Sequence, residues 1–98
     1  MVTVLIRHKV ADFNTWKASF DAAFSLRKAS GENSFRLYRD ATDPSALTLL
    51  FEWDTAEHAD KFLKSEELRL EMKHAGVLGD PEMRVLLEVV AMRRTAAD

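Results

Sequence analysis

Cysteine is absent from the 98 residues, so neither a disulfide scaffold nor thiolate chemistry is open to this chain, in keeping with a reducing compartment. Lysine and arginine never gather into a basic run, and the formal net charge is -2. No nucleic-acid groove and no patch for an anionic membrane is therefore expected. Apolar runs are short as well. The first, Val2 to Ile6, meets Arg7 and Lys9 long before the ~20 residues that a membrane-spanning helix requires. The expected setting is soluble and cytoplasmic. Also missing are a glycine-rich phosphate loop, a Gly-x-Ser-x-Gly elbow, a dinucleotide fingerprint and a His-x-x-x-His pair, although His58 and His74 have Glu57 and Glu71 nearby. No metal and no cofactor are foreseen on this basis. Without repeats or linkers, the length suits one domain over 1–92, with 93–98 as a flexible C-terminal tail.

What is present is organised around Leu47-Thr48-Leu49-Leu50-Phe51-Glu52-Trp53-Asp54. Its odd positions form an unbroken apolar row at the strand period of two, and Leu50 makes the other face partly apolar. A first strand runs from Val2 to Val10, with Val2, Val4, Ile6, His8 and Val10 as its inward row. Asp12 caps a helix over roughly 12–29, striped by Phe13, Trp16, Phe20, Phe24 and Arg27 and ended at Gly31. Phe35 to Asp40 alternates as a more polar edge strand and turns through Asp43-Pro44 into the organising strand. This hairpin places Arg36 opposite Leu50 or Glu52, and Phe35 near Phe51 or Trp53.

Asp54-Thr55-Ala56-Glu57 has the form of a capping box. The helix behind it buries Ala59, Phe62 and Leu63, and Ser65 restarts or extends it through Leu68, Met72 and Ala75. Gly79-Asp80-Pro81 reads as a turn before a last strand from Met83 to Val90. The order βαββαβ predicts an α+β, ferredoxin-like domain, a four-stranded antiparallel sheet with helices on one face. The mixed row left on the other face, with Leu5, Leu50, Leu86, Arg7, Arg36, Glu52 and Glu88, predicts a homodimer closed sheet to sheet as a barrel.

His8 is the principal candidate for chemistry. It falls on the helix-facing row, with Arg39 and Trp53 expected close by, and would serve as acid/base or hydrogen-bond donor at the corner of a pocket. The alternative is a partly buried histidine bonded to backbone. Trp16, Phe20, Phe24, Phe51, Trp53 and Phe62 either wall a cavity for a flat aromatic ligand or simply fill the core. Arg27 and Arg39 either hold an anionic or phenolate group or pair with a carboxylate in water.

Several stretches together resemble a known superfamily: His8-Lys9-Val10-Ala11-Asp12-Phe13 with Trp16, Arg36-Leu37-Tyr38-Arg39-Asp40 with Asp43-Pro44, Phe51-Glu52-Trp53-Asp54, Ser65-Glu66-Glu67-Leu68, and Ala75-Gly76-Val77. The chain resembles small stand-alone members of the dimeric α/β-barrel superfamily, above all its antibiotic-biosynthesis-monooxygenase-like branch. That resemblance implies a homodimer and a cofactor-independent monooxygenase acting on a planar aromatic compound. In that role His8 and Arg39 are catalytic, and Trp16, Phe20, Phe24, Trp53 and Phe62 bind the ligand. A polyketide cyclase-like enzyme and a non-catalytic ligand-binding or structural dimer are the alternatives it leaves open. Met72 stands where haem-degrading relatives carry their ligating histidine, which points away from haem.

Overall fold

A computed structural model describes residues 1–94. The expected tail touches it only at Arg93 and Arg94; the rest of that tail lies outside the described residues. The elements are β1 (Val2–Val10), α1 (Phe13–Ala22), α2 (Phe24–Ser30), β2 (Glu32–Arg39), β3 (Ala46–Trp53), α3 (Ala56–Leu63), α4 (Glu66–His74) and β4 (Val77–Leu86). Every strand pair is antiparallel, and the sheet order is β2-β3-β1-β4. This is the ferredoxin-like α+β arrangement, with each predicted helix divided in two.

The period-two rows decide which face is covered. Val4, Ile6 and Val10 of β1 and Leu47, Leu49, Phe51 and Trp53 of β3 are buried under the helices. On the opposite face Leu5 and its cross-strand partner Leu50 are half-buried, while Arg7, Arg36, Glu52 and Leu86 are exposed. The hairpin register is as expected, with Arg36 opposite Leu50 and Phe35 opposite Phe51.

The first helix breaks at Ala23, and Arg27 explains why. The Ala23 N–H reaches both the Ser19 and Phe20 carbonyls, and Arg27 Nη1 donates to the Phe20 oxygen at 2.5 Å. The Phe20 carbonyl therefore turns away from the regular helical ladder. Arg27 Nε also donates to Glu32 at 2.6 Å, and the two side chains are only 6% and 2% exposed. Of the two expectations for Arg27, an anionic ligand or a carboxylate in water, the second is corrected: it does pair with a carboxylate, but away from water. The pair lies in the interior, and Glu32 was not foreseen as its partner. Gly31, at φ 124°, ends α2, and its carbonyl accepts from the Asp54 N–H at 3.0 Å.

Further boundaries differ from expectation. The cap of α3 is Thr55, whose side chain accepts from the His58 N–H; Asp54, one residue earlier, binds the Thr55 N–H and the His58 ring. Gly79-Asp80-Pro81 is part of β4 rather than a turn before it. Arg7 pairs with Glu82 and Lys9 with Leu78, so the extra residues of β4 bulge out beside His8. Pro81 is tolerated because it lies in this unpaired bulge of an edge strand, where the ladder asks no donor of it. At its other end β4 stops at Leu86, opposite Thr3. Leu87 and Val89, which alternation with Leu86 and Glu88 over the expected strand from Met83 to Val90 would turn toward the helices, lie beyond this pairing and are 71% and 90% exposed.

Candidate functional site

A cavity of about 50 Å³ lies between the sheet and the two helical pairs. Its floor is Ile6 and His8 of β1 with Leu49 and Phe51 of β3. One wall is Trp16 and Phe20 of α1 with Arg27 of α2. The facing wall is Phe62 of α3, Leu68 and Met72 of α4, and Ala75. Each buried member of these walls arrives by the helical or strand period, so the site is the place where the inward stripes meet.

His8 is the polar exception on the floor. Its side chain is 8% exposed, and among the described residues Nδ1 has no hydrogen-bond partner. A buried polar atom left unsatisfied typically costs about 1–3 kcal/mol, so such an atom marks a place where a ligand or water would be accepted. Burial holds the imidazole below its ordinary value of 6.5, opposed only in part by its own backbone. Near neutral pH His8 is consequently an uncharged base. The indole of Trp16 meets its ring edge-on at 5.6 Å and stacks on Phe20 at 4.9 Å. The Arg27 guanidinium covers the far face of this run, 3.7 Å from the Phe20 ring centre. Glu32 and the Phe20 carbonyl already engage that cation, so its charge is largely spent within the fold.

Of the residues singled out from the sequence, His8, Trp16, Phe20, Arg27, Phe51 and Phe62 come together around the cavity. The other three do not. Trp53 pairs with Val2 at the opposite end of β1, roughly 20 Å from His8 at a strand rise of 3.4 Å per residue. It is fully buried, donates from Nε1 to the Ser30 carbonyl at 2.9 Å, and packs on Phe62 at 4.8 Å. Its place is a structural joint. Phe24 follows the break at Ala23 and is 49% exposed, because the break and the drift of the helical period rotate it out of the stripe. Arg39 shares a cross-strand row with His8, but Leu47 stands between them. Two strand spacings put it about 10 Å away, exposed at the sheet edge with its guanidinium 5.1 Å from the Phe13 ring centre. Met72 and Glu71 line the cavity without having been assigned to it. The signal for Met72 was its place four residues after Leu68 on an inward stripe.

Among the described residues, His, Asp and Glu side chains do not gather in threes as a metal site would require, and no helix is long and apolar enough to cross a membrane.

No protein-family model matches the chain, and no curated protein matches it either. Solved structures do. A candidate antibiotic biosynthesis monooxygenase from Bordetella bronchiseptica is 19% identical, with 91% of this chain and 97% of that chain covered and a TM-score of 0.72. SnoaB, a cofactor-independent oxygenase from Streptomyces nogalater, is 14% identical over 99% of this chain and 97% of its own, with a TM-score of 0.67. A dimeric ferredoxin-like protein from an uncultured marine organism is 13% identical over 96% of this chain and 92% of its own, with a TM-score of 0.61. The chain therefore has the fold of antibiotic-biosynthesis-monooxygenase-like proteins, along nearly its whole length.

Proposed function

We propose that this chain is a homodimeric, cofactor-independent oxygenase whose substrate is a small electron-rich phenol or quinol bound beside His8. The observation that carries this reading is the unsatisfied Nδ1 of a buried, neutral imidazole on the apolar floor of the cavity. Such a group accepts a proton from a phenolic O–H and holds the developing anion next to an imidazolium. The Trp16 and Phe20 rings supply the flat apolar wall. The phenolate gives one electron to O2, and the resulting superoxide recombines with the ring radical at a carbon bearing hydrogen. Loss of water then leaves a quinone, so one O2 is consumed and one water released per phenol. His8 takes up the phenolic proton at the start and returns it to the departing water.

The homodimer rests on the uncovered sheet face. Leu5 and Leu50 sit there with Leu86, among Arg7, Arg36, Glu52, Glu82 and Arg84. Beyond β4 the chain runs on with Val89, Val90 and Met92 largely exposed. Apolar residues interleaved with both signs of charge are suited to a second copy of the same surface.

The test is oxygen uptake, and incorporation of label from labelled O2, with a panel of phenols and quinols. His8→Ala is expected to lower turnover by about 100-fold or more, the usual scale of general-base catalysis, while the dimer remains folded. Full activity in that variant would remove His8 from the reaction. A second reading is favoured by one measurement, the volume: at about 50 Å³ the cavity is well below the roughly 300 Å³ of ordinary ligand pockets. On that reading the chain is a non-catalytic dimer with a filled core, and no phenol would shift its melting temperature or consume oxygen.

A further inference from the structure

The cavity beside His8 holds about 50 Å³, whereas a dry apolar cavity that accepts a benzene ring measures about 150 Å³. A single ring therefore enters only if part of the wall yields, and burial indicates which part. Ile6, Trp16, Phe20, Leu49, Phe51, Phe62 and Leu68 are all at most 8% exposed and are locked into the core by their neighbours. Arg27 is tied to Glu32 and to the Phe20 carbonyl. Among the half-buried lining residues, Ala23 has no side chain to move, Leu26 is branched, and Glu71 and Met72 sit side by side on α4. Met72 alone combines an apolar surface with an unbranched thioether side chain that turns about three bonds and refills irregular space. Its helix is loosely held: α4 has nine residues, with Leu68 as its one buried residue.

We propose that Met72 is the size-determining residue of this site, a movable plug that swings toward solvent to admit a one-ring phenol and excludes a fused two-ring one. The proposal rests on the reading of the cavity as a phenol site, but it concerns binding rather than turnover. With Met72 displaced, the ring lies between Trp16 and α4 and its hydroxyl reaches His8. A second fused ring would need Leu68 or Phe62 to leave the core as well.

The experiment measures binding in the absence of oxygen, so that chemistry does not intervene. Methylhydroquinone and 1,4-dihydroxynaphthalene are titrated into the full-length wild-type protein, Met72→Ala and Met72→Phe, each confirmed folded by its urea midpoint. Wild type is expected to prefer the one-ring quinol at least tenfold. Met72→Ala should abolish or reverse that preference, and Met72→Phe should weaken the one-ring quinol more than tenfold by filling the space with a stiff ring. A ratio of the two affinities that stays within twofold across all three proteins overturns the proposal, as does failure of both quinols to bind wild type and Met72→Ala. Binding that follows this pattern with no oxygen uptake afterwards would support the plug and sink the oxygenase reading, so the two failures are told apart.

Discussion

Burial favours the neutral form of His8, and the same burial ties it to stability. Its value in the folded state is pushed below the ordinary 6.5, so between those two values the unfolded chain binds more protons than the folded one. The stability contributed by the neutral imidazole is therefore fully present above about pH 6.5 and is lost as the pH falls toward the folded value. Urea midpoints between pH 5 and 8 should show this decline in wild type and a flatter profile in His8→Gln; an identical slope in both would mean that another group is responsible. Arg27 and Glu32 carry a larger stake. Removing one partner of a buried pair typically costs about 3–5 kcal/mol, because the other charge is left uncompensated. Glu32→Gln and Arg27→Met should each destabilise on that scale, and the double variant by clearly less than their sum. Additive costs would show that the two side chains are not coupled. Little of this pair could be read from the sequence. The residues lie on either side of a glycine, and an arginine near a helix end is ordinarily solvated; only the three-dimensional turn at Gly31 folds both inward.

Elements hold the site through their ends more than through their middles. Gly31 shows this most clearly: a Cβ there would lie 2.6 Å from Trp53 Nε1 and press on the Asp54 carboxylate, at a φ of +124° that side chains rarely adopt. Gly31→Ala should cost about 1–3 kcal/mol, read from chemical denaturation, and a neutral result would mean that the joint between α2 and β3 relaxes freely. At α4 the Ser65 hydroxyl accepts from the Leu68 N–H at 3.2 Å and donates to the Phe62 carbonyl at 2.6 Å. Ser65→Ala should cost about 1 kcal/mol and speed amide exchange in 66–74 ahead of the sheet. Uniform exchange would contradict the view that α4 is the yielding wall. Strands β1 and β3 were legible from their sequence because an unbroken period of two was bounded by capping residues. Strand β4 was misread, since Gly79-Asp80-Pro81 carries the composition of a turn whether it reverses the chain or bulges within a strand. Only pairing to β1 distinguishes the two.

At the scale of the whole molecule, one chain covers one side of its sheet and leaves the other open. The alternation of β1 and β3 made both faces legible, and the row of large aliphatics and paired charges on the open face argued for a second copy. The proposed homodimer is tested by Leu50→Arg, which places a charge opposite Arg36 and beside Leu5. Sedimentation should then report a monomer, against a dimer for wild type; an unchanged mass would place the dimer contact elsewhere. The candidate site was less legible than the fold. His8, Trp16, Phe20 and Phe62 share inward rows and could be assembled by counting. Trp53 and Arg39 also lie on inward rows but far along or across the sheet, and periodicity assigns a face without giving a position along it. The central claim is that the free nitrogen of His8 receives the hydroxyl of a phenolic ligand. The most direct measurement is the imidazole 15N spectrum of the wild-type protein on adding methylhydroquinone without oxygen. A hydroxyl bonded to His8 displaces its Nδ1 resonance and leaves those of His58 and His74 unmoved; bound ligand with an unchanged His8 signal would remove His8 from the contact.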